Sequence, residues 1–150
     1  MSDIKLMNAT TNDNILIYNW FNDKDSIRYK IKTKNKISLR SHLVWLQSFY
    51  KNKQGIIWII NYKDSKIGNI RLTRLRHKAY EVDIFIIKEY RGQQLATQSL
   101  IKVENSLDKG FEVHSFVKKN NYRSFKFFLK NKYNLISSGK TAWFLKKKLI

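Results

Sequence analysis

The sequence predicts an α/β fold on a mixed, mainly antiparallel sheet flanked by helices, and three observations carry that prediction. Short apolar runs suited to strands lie at residues 56–62, 67–72 and 80–87, with no helical segment between them. Segments of helical spacing stand before and after this meander. A central β-α-β-α unit then follows it, which makes the sheet mixed. Three long strands without intervening helices also argue against a dinucleotide fold.

Taken in order, Ile4 to Met7 reads as a short strand. From Asn12 to Phe21, residues Ile15, Leu16, Asn19 and Trp20 recur at helical spacing. Ser38 caps a second helix that runs to about Tyr50. Its stripe is Leu39, Leu43, Leu46 and Tyr50, with Trp45 and Phe49 beside it. Gly55 opens the buried strand Ile56 to Tyr62; Lys63 to Lys66 turns the chain, and Ile67 to Leu72 returns. Tyr80 to Ile87 alternates, with Val82, Ile84 and Ile86 on one face and Glu81, Asp83 and Phe85 on the other. The next helix spans about Gln93 to Lys109 and is ended by Gly110. Phe111 to Val117 is a strand, and Tyr122 to Asn131 a helix burying Phe125, Phe128 and Leu129. Two strands, Tyr133 to Ser137 and Thr141 to Lys147, close the chain around Ser138-Gly139-Lys140.

Composition bounds the function classes. With 150 residues, 43% hydrophobic and 14% aromatic, the chain fits one ordinary domain with a real core. No repeat, linker or composition break divides it. Cysteine is absent, so there is neither a disulfide framework nor a thiolate metal site, in keeping with a cytoplasmic location. His42, His77 and His114 lack ligand spacing, and no metal is expected. The opening residues carry no long apolar run, and no stretch approaches the roughly 20 apolar residues that span a bilayer. The formal charge is +19, with lysines scattered rather than blocked. This suits a solvated surface or an anionic ligand, and the same excess, with many Asn and Ile and no proline, fits an AT-rich genome. No arginine-rich aromatic platform or zinc-finger spacing points to nucleic acid.

The informative stretch is Tyr90-Arg91-Gly92-Gln93-Gln94-Leu95-Ala96, after a strand and opening a helix. A turn there exposes successive backbone N–H groups, and the helix dipole adds positive potential, so the segment can hold a pyrophosphate. Gly92 and Ala96 let a ligand approach the backbone, and Arg91 adds a cation.

This stretch resembles the coenzyme A loop of the GNAT acetyltransferases, Arg/Gln-x-x-Gly-x-Gly/Ala. Arg91 and Ala96 match its ends, and Gln94 stands where the family has glycine. A second family pattern, Val-x-x-x-Asn-x-x-Ser-x-x-x-Tyr, is met by Val117, Asn121 and Ser124, with Phe128 in place of tyrosine. The resemblance covers nearly the whole chain. It implies the GNAT fold and acetyl-CoA as cofactor, the donor in transfer of acetyl to a primary amine. Ile84, Phe85 and Ile86 would pair with pantetheine as an added strand does. Arg91, Gly92, Gln93, Gln94, Leu95, Ala96 and Thr97 would hold the phosphates, and Asn121, Ser124 and Phe128 the pantetheine arm. The tyrosine that protonates the leaving thiolate in the family is missing at Phe128. Tyr133, Tyr122, water or unaided departure are the options; a thiol pKa of roughly 8 to 9 allows the last, at an expected cost of ~10²-fold or more.

Glu81 is the first choice of base, directly or through water, and His42 the second. The N-terminal half, Trp20-Phe21-Asn22-Asp23, then Arg28, then Ser41-His42-Leu43 and Trp45-Leu46, resembles the amino-sugar N-acetyltransferases of the pseudaminic acid pathway. That resemblance implies a UDP-linked 4-amino dideoxy sugar as acceptor, with Asn22, Arg28, His42, Trp45 and Glu81 as contacts. Phe21 replaces an arginine of that family. A protein N-terminus, a lysine or a small amine is the alternative acceptor, and a coenzyme-binding module without turnover a further one. The expected state is a monomer or homodimer, without nucleic-acid or membrane partners.

Overall fold

The computed structural model describes residues 3–29 and 36–150. Its strands are β1 (Ile4–Asn8), β2 (Gly55–Tyr62), β3 (Ser65–Arg76), β4 (Ala79–Ile86), β5 (Glu112–Lys118), β6 (Asn134–Ser138) and β7 (Ala142–Lys148). Its helices are α1 (Asn14–Phe21), α2 (Lys24–Arg28), α3 (Leu39–Lys51), α4 (Leu95–Asn105) and α5 (Tyr122–Lys130). The strands form one sheet in the order β1-β2-β3-β4-β5-β7-β6. Every neighbouring pair is antiparallel except β4 with β5, which is parallel. This is the mixed, mainly antiparallel sheet the alternation predicts.

Helices cover both faces. On one, α4 and α5 pack Leu95, Leu100, Val103 and Phe128 against Ile60, Ile70, Leu72, Val82, Val113 and Leu145. On the other, α1 and α3 pack Ile17, Trp20, Leu46 and Phe49 against Ile57 and Ile59. Gly68 of β3 lies so close to β4 that an added Cβ would stand 2.0 Å from the Phe85 carbonyl oxygen, so no side chain fits there.

Several local expectations are corrected. The buried face of α3 is His42, Leu46 and Phe49, while Leu39, Leu43 and Tyr50 are exposed. The helix is rolled by about one position because the aromatic rings of α1 meet it at His42 and Trp45. Helix α4 is shorter at both ends. Gln94 takes the left-handed conformation, so the helix starts at Leu95. At the other end the Ser106 hydroxyl donates to the Val103 carbonyl at 2.6 Å, competing with helix continuation. Gly110 (φ 89°) instead serves the turn into β5. In α5 Leu129 is exposed, and Phe127 faces the core edge. The short helix α2 went unread; its signal is Asp23, whose carboxylate accepts from the Asp25 and Ser26 backbone N–H groups.

One buried polar network ties α4 to the C-terminal strands. Glu104 is 7% exposed. It accepts from Tyr133 Oη at 2.8 Å and from Lys147 Nζ at 2.9 Å, and Lys147 also donates to the Asn131 carbonyl. Among the described residues no helix is long and apolar enough to cross a membrane.

Candidate active site

The site begins where two strands part. β4 and β5 pair only at Ala79↔Glu112, Tyr80↔Val113 and Glu81↔His114. Beyond that, β4 runs on to Ile86 and β5 to Lys118, but β5 stays paired with β7 instead. Among the described residues, one edge of residues 82–86 therefore has no strand beside it, although its N–H and C=O groups alternate as in any ladder. A cleft of about 710 Å³ occupies the wedge. Val82 to Ile86 form one wall and Ser115 to Lys118 the other, with Phe127 and Phe128 from α5.

The loop from β4 to α4 closes one end. Gly92 (φ 79°) and Gln94 (φ 65°) both adopt the left-handed conformation. The first intrahelical bond is Gln98 N–H to the Gln94 carbonyl at 3.1 Å. The N–H groups of Leu95, Ala96 and Thr97 precede it, as orphan donors at a helix N-terminus do, and these residues line the cleft. Gln94 thus holds by conformation what glycine would hold by type. A side chain in that region is strained, so Gln94→Gly is expected to raise stability by up to about 1 kcal/mol. An upward shift of the denaturant midpoint at constant slope would verify it.

Of the predicted cofactor residues, Ile84, Phe85, Ile86, Arg91, Gly92, Gln94, Leu95, Ala96 and Thr97 line the cleft, as do Asn121, Ser124 and Phe128. Gln93 does not; its amide points back to the Glu89 carbonyl. Asn121 caps α5, its side-chain oxygen accepting from Ser124 N–H at 3.2 Å. Arg91 is tethered: Nε donates to the Ile86 carbonyl at 2.7 Å and Nη1 to Asp25 at 2.9 Å. The hydrogen bond from Arg91, opposed by some desolvation, holds the Asp25 carboxyl below its usual range.

The predicted acceptor and catalytic residues are less well gathered. Trp45 lines the cleft, but Asn22, Arg28, His42, Glu81 and Tyr133 do not. Asn22 makes a two-way bond with the Ile37 backbone, 3.0 and 2.9 Å, and so holds the chain entering α3. Arg28 lies over Tyr29, and its carbonyl accepts from Lys118 Nζ. His42 is 1% exposed, walled by the rings of Tyr18, Phe21 and Trp45. Tyr133 donates its proton to Glu104, and burial, reinforced by that carboxylate, pushes its pKa well up. A proton so held is not offered to the cleft. Tyr122 is exposed and also lies outside it. Glu81 shares its β4 face with Asp83 and Phe85, one strand repeat deeper, and of the three only Asp83 and Phe85 line the cleft.

Sequence reasoning missed Arg71 and Asn69 on β3, Lys118 on β5, and Arg123 and Lys130 on α5. Arg71 pairs with Asp83 at 3.0 Å and lies over the Trp45 ring. The available signal was the register: in an antiparallel hairpin Arg71 falls opposite Asp83.

Residues 3–134 match the family model of the acetyltransferase (GNAT) domain. The chain belongs to the GNAT acetyltransferase family. Solved structures agree on the fold of this GNAT domain. A domain from Methanocaldococcus jannaschii superimposes with TM-score 0.85 at 22% identity, covering 99% of this chain and 100% of that one. Spermidine N-acetyltransferase from Vibrio cholerae, in complex with CoA and spermine, gives 0.84 at 13% identity over 98% and 96%. N-acetyltransferase PseH from Campylobacter jejuni, in complex with acetyl coenzyme A, gives 0.74 at 20% identity over 97% and 98%. No curated protein matches this GNAT domain significantly.

Proposed function

We propose that the protein transfers an acetyl group from acetyl-CoA to the primary amine of an anionic acceptor, a nucleotide-linked amino sugar being the acceptor class that fits best. The observation that carries the reading is the unpaired edge of β4 running into a helix N-terminus within one cleft. Pantetheine amides need a strand edge, which residues 82–86 offer. A diphosphate needs convergent N–H donors and a close backbone approach, which Gly92 to Thr97 offer. Bound acetyl-CoA supplies an activated thioester; this chain's part is to orient it, receive the amine proton and screen the reacting centre.

Proton acceptance falls to the carboxylates on the acceptor side of β4. Asp83 lines the cleft directly, whereas Glu81, on the same face of β4 but outside the lining, would act through water. Position 128 has no hydroxyl, and Tyr133 and Tyr122 do not face the cleft. Departure of the thiolate unaided or protonated by water is then the working route, consistent with a thiol pKa of roughly 8 to 9. Asp83→Asn and Glu81→Gln are expected to lower kcat by ~10²-fold and ~10-fold respectively, with coenzyme affinity unchanged. Steady-state rates with parallel coenzyme titrations decide this, and an unaltered rate in either variant removes that residue as base.

The acceptor class follows from charge. Arg71, Arg91, Lys118, Arg123 and Lys130 line the cleft, against Asp25 and Asp83. Both carboxylates already face an arginine. A polycationic amine meets repulsion here, and a diphosphate-bearing one attraction. Trp45 adds a ring for stacking on a base or sugar. The test is thiol release from acetyl-CoA with a UDP-4-amino-4,6-dideoxy sugar, spermidine and a peptide N-terminus in parallel. Turnover of the sugar nucleotide first supports the reading; turnover confined to the peptide or polyamine replaces it.

A further inference from the structure

Arg71 stands on β3, a strand that the cofactor reading does not use. Its guanidinium lies 5.1 Å over the Trp45 ring, within the range of a cation–π contact. Nη2 donates to Asp83 Oδ2 at 3.0 Å. Nε is buried and has no hydrogen-bond partner among the described residues. The side chain is only 23% exposed, whereas the Asp83 side chain is 48% exposed. The register places Arg71 between Ile57 of β2 and Asp83 of β4, on the sheet face that α1 and α3 cover. A guanidinium held over an indole, with one corner on a carboxylate and part of its fork still open to solvent, is preorganised to take an oxyanion. Nε is closed to solvent, so the donor that an incoming oxyanion can reach is the outer, exposed edge of the fork.

We propose that Arg71 and Asp83 form the acceptor-recognition pair: Asp83 receives the substrate's ammonium, and Arg71 receives a phosphate or carboxylate oxygen of the same substrate. The inference rests on the amine-acceptor reading above and narrows it to amines with an oxyanion on a neighbouring carbon, as in a 2-amino sugar 1-phosphate rather than a 4-amino one. The two charges sit side by side, so the pair recognises a zwitterionic fragment rather than a net charge. An amine without an oxyanion gives the guanidinium no further acceptor, and a polyamine brings a second cation against it. Lys118, Arg123 and Lys130, which line the same cleft, add to the discrimination without fixing its position.

Matched probes test this. Glucosamine 1-phosphate and glucosamine present the same amine with and without an oxyanion, and spermidine presents amines alone. Calorimetric titration of the coenzyme A-saturated protein is expected to show the phosphate probe at least ~10-fold tighter than glucosamine, with spermidine weakest. Arg71→Gln should erase the difference between the two sugars while leaving coenzyme A affinity unchanged; Arg71→Lys should keep part of it, retaining charge but not the fork. Asp83→Asn should weaken both sugars alike. Equal binding of the two sugars, a preference that survives Arg71→Gln, or spermidine as the tightest probe overturns the proposal. If coenzyme A itself does not bind, the acyl-transfer reading falls, and the same three titrations on the bare protein still decide whether Arg71 selects the oxyanion.

Discussion

Placing a carboxylate in the first turn of α4, by Ala96→Glu, is expected to weaken coenzyme A binding by ~10²–10³-fold and to abolish thiol release. Ala96 lines the cleft beside the N–H groups of Leu95 and Thr97, which no intrahelical carbonyl takes up. The helix dipole that favours a phosphate there favours a glutamate equally well, so the new side chain satisfies the site internally. It also sets a unit negative charge against the diphosphate. At about 4 Å and an effective dielectric near 20, two such charges repel by about 4 kcal/mol, equivalent to ~10³ in affinity. Ala96 is half-buried rather than core, so the unliganded melting temperature should move little. Ala96→Ser, which adds a hydroxyl without charge, should cost less than tenfold. Calorimetry with coenzyme A distinguishes the two, and equal affinity in both would place the phosphates elsewhere.

The second large effect concerns stability. Glu104→Ala is expected to destabilise the fold by about 3–5 kcal/mol. Its carboxylate is nearly enclosed and holds two donors, Tyr133 Oη and Lys147 Nζ. Removing it leaves the partly buried ammonium with only the Asn131 carbonyl, takes the acceptor from a buried hydroxyl, and opens a small void between α4 and β7. For a chain of this length each kcal/mol moves the melting temperature by roughly 2–4 °C, so a fall of roughly 6–20 °C is expected. The paired variant Glu104→Gln with Lys147→Met removes both charges and should recover most of the loss, because the penalty is that of a broken pair. Thermal melts of the two variants read this directly. Little loss in Glu104→Ala would mean that Lys147 reaches solvent and the network is marginal.

Strands were the most legible part of the fold, because alternation along Tyr80 to Ile86 and continuous apolar runs such as Ile56 to Ile60 survive folding unchanged. Helix faces were less so. A stripe through Leu39, Leu43, Leu46 and Tyr50 collects the apolar residues of α3, yet of these only Leu46 is buried, and His42 takes an inside place through ring contacts that no single-helix pattern encodes. Helix ends failed for a local reason: Gln94 and Ser106 stop α4 by backbone conformation and side-chain competition, not by the glycine nearest to hand. For the site, contiguous residues were readable and dispersed ones were not. The loop from Arg91 to Thr97 lies in one stretch of chain and lines the cleft almost throughout. Arg71 belongs to a site only through its register with Asp83 and its contact with Trp45, three elements that meet in space alone. Tyr133 shows the converse, a chemically apt residue at a suggestive spacing whose proton is taken by Glu104.

The tether of Arg91 to Asp25 reaches beyond either residue. Through it the loop that opens α4 and the short helix α2 are one mechanical piece, and Lys118 ties the far side of α2 to β5 through the Arg28 carbonyl. A ligand that draws the guanidinium away costs α2 that contact, and a ligand that favours the contact favours the loop position with it. Whatever factor one occupant imposes on its neighbour's dissociation constant must be returned in equal measure. A single ion pair between side chains can thus couple the two affinities, whichever ligand arrives first.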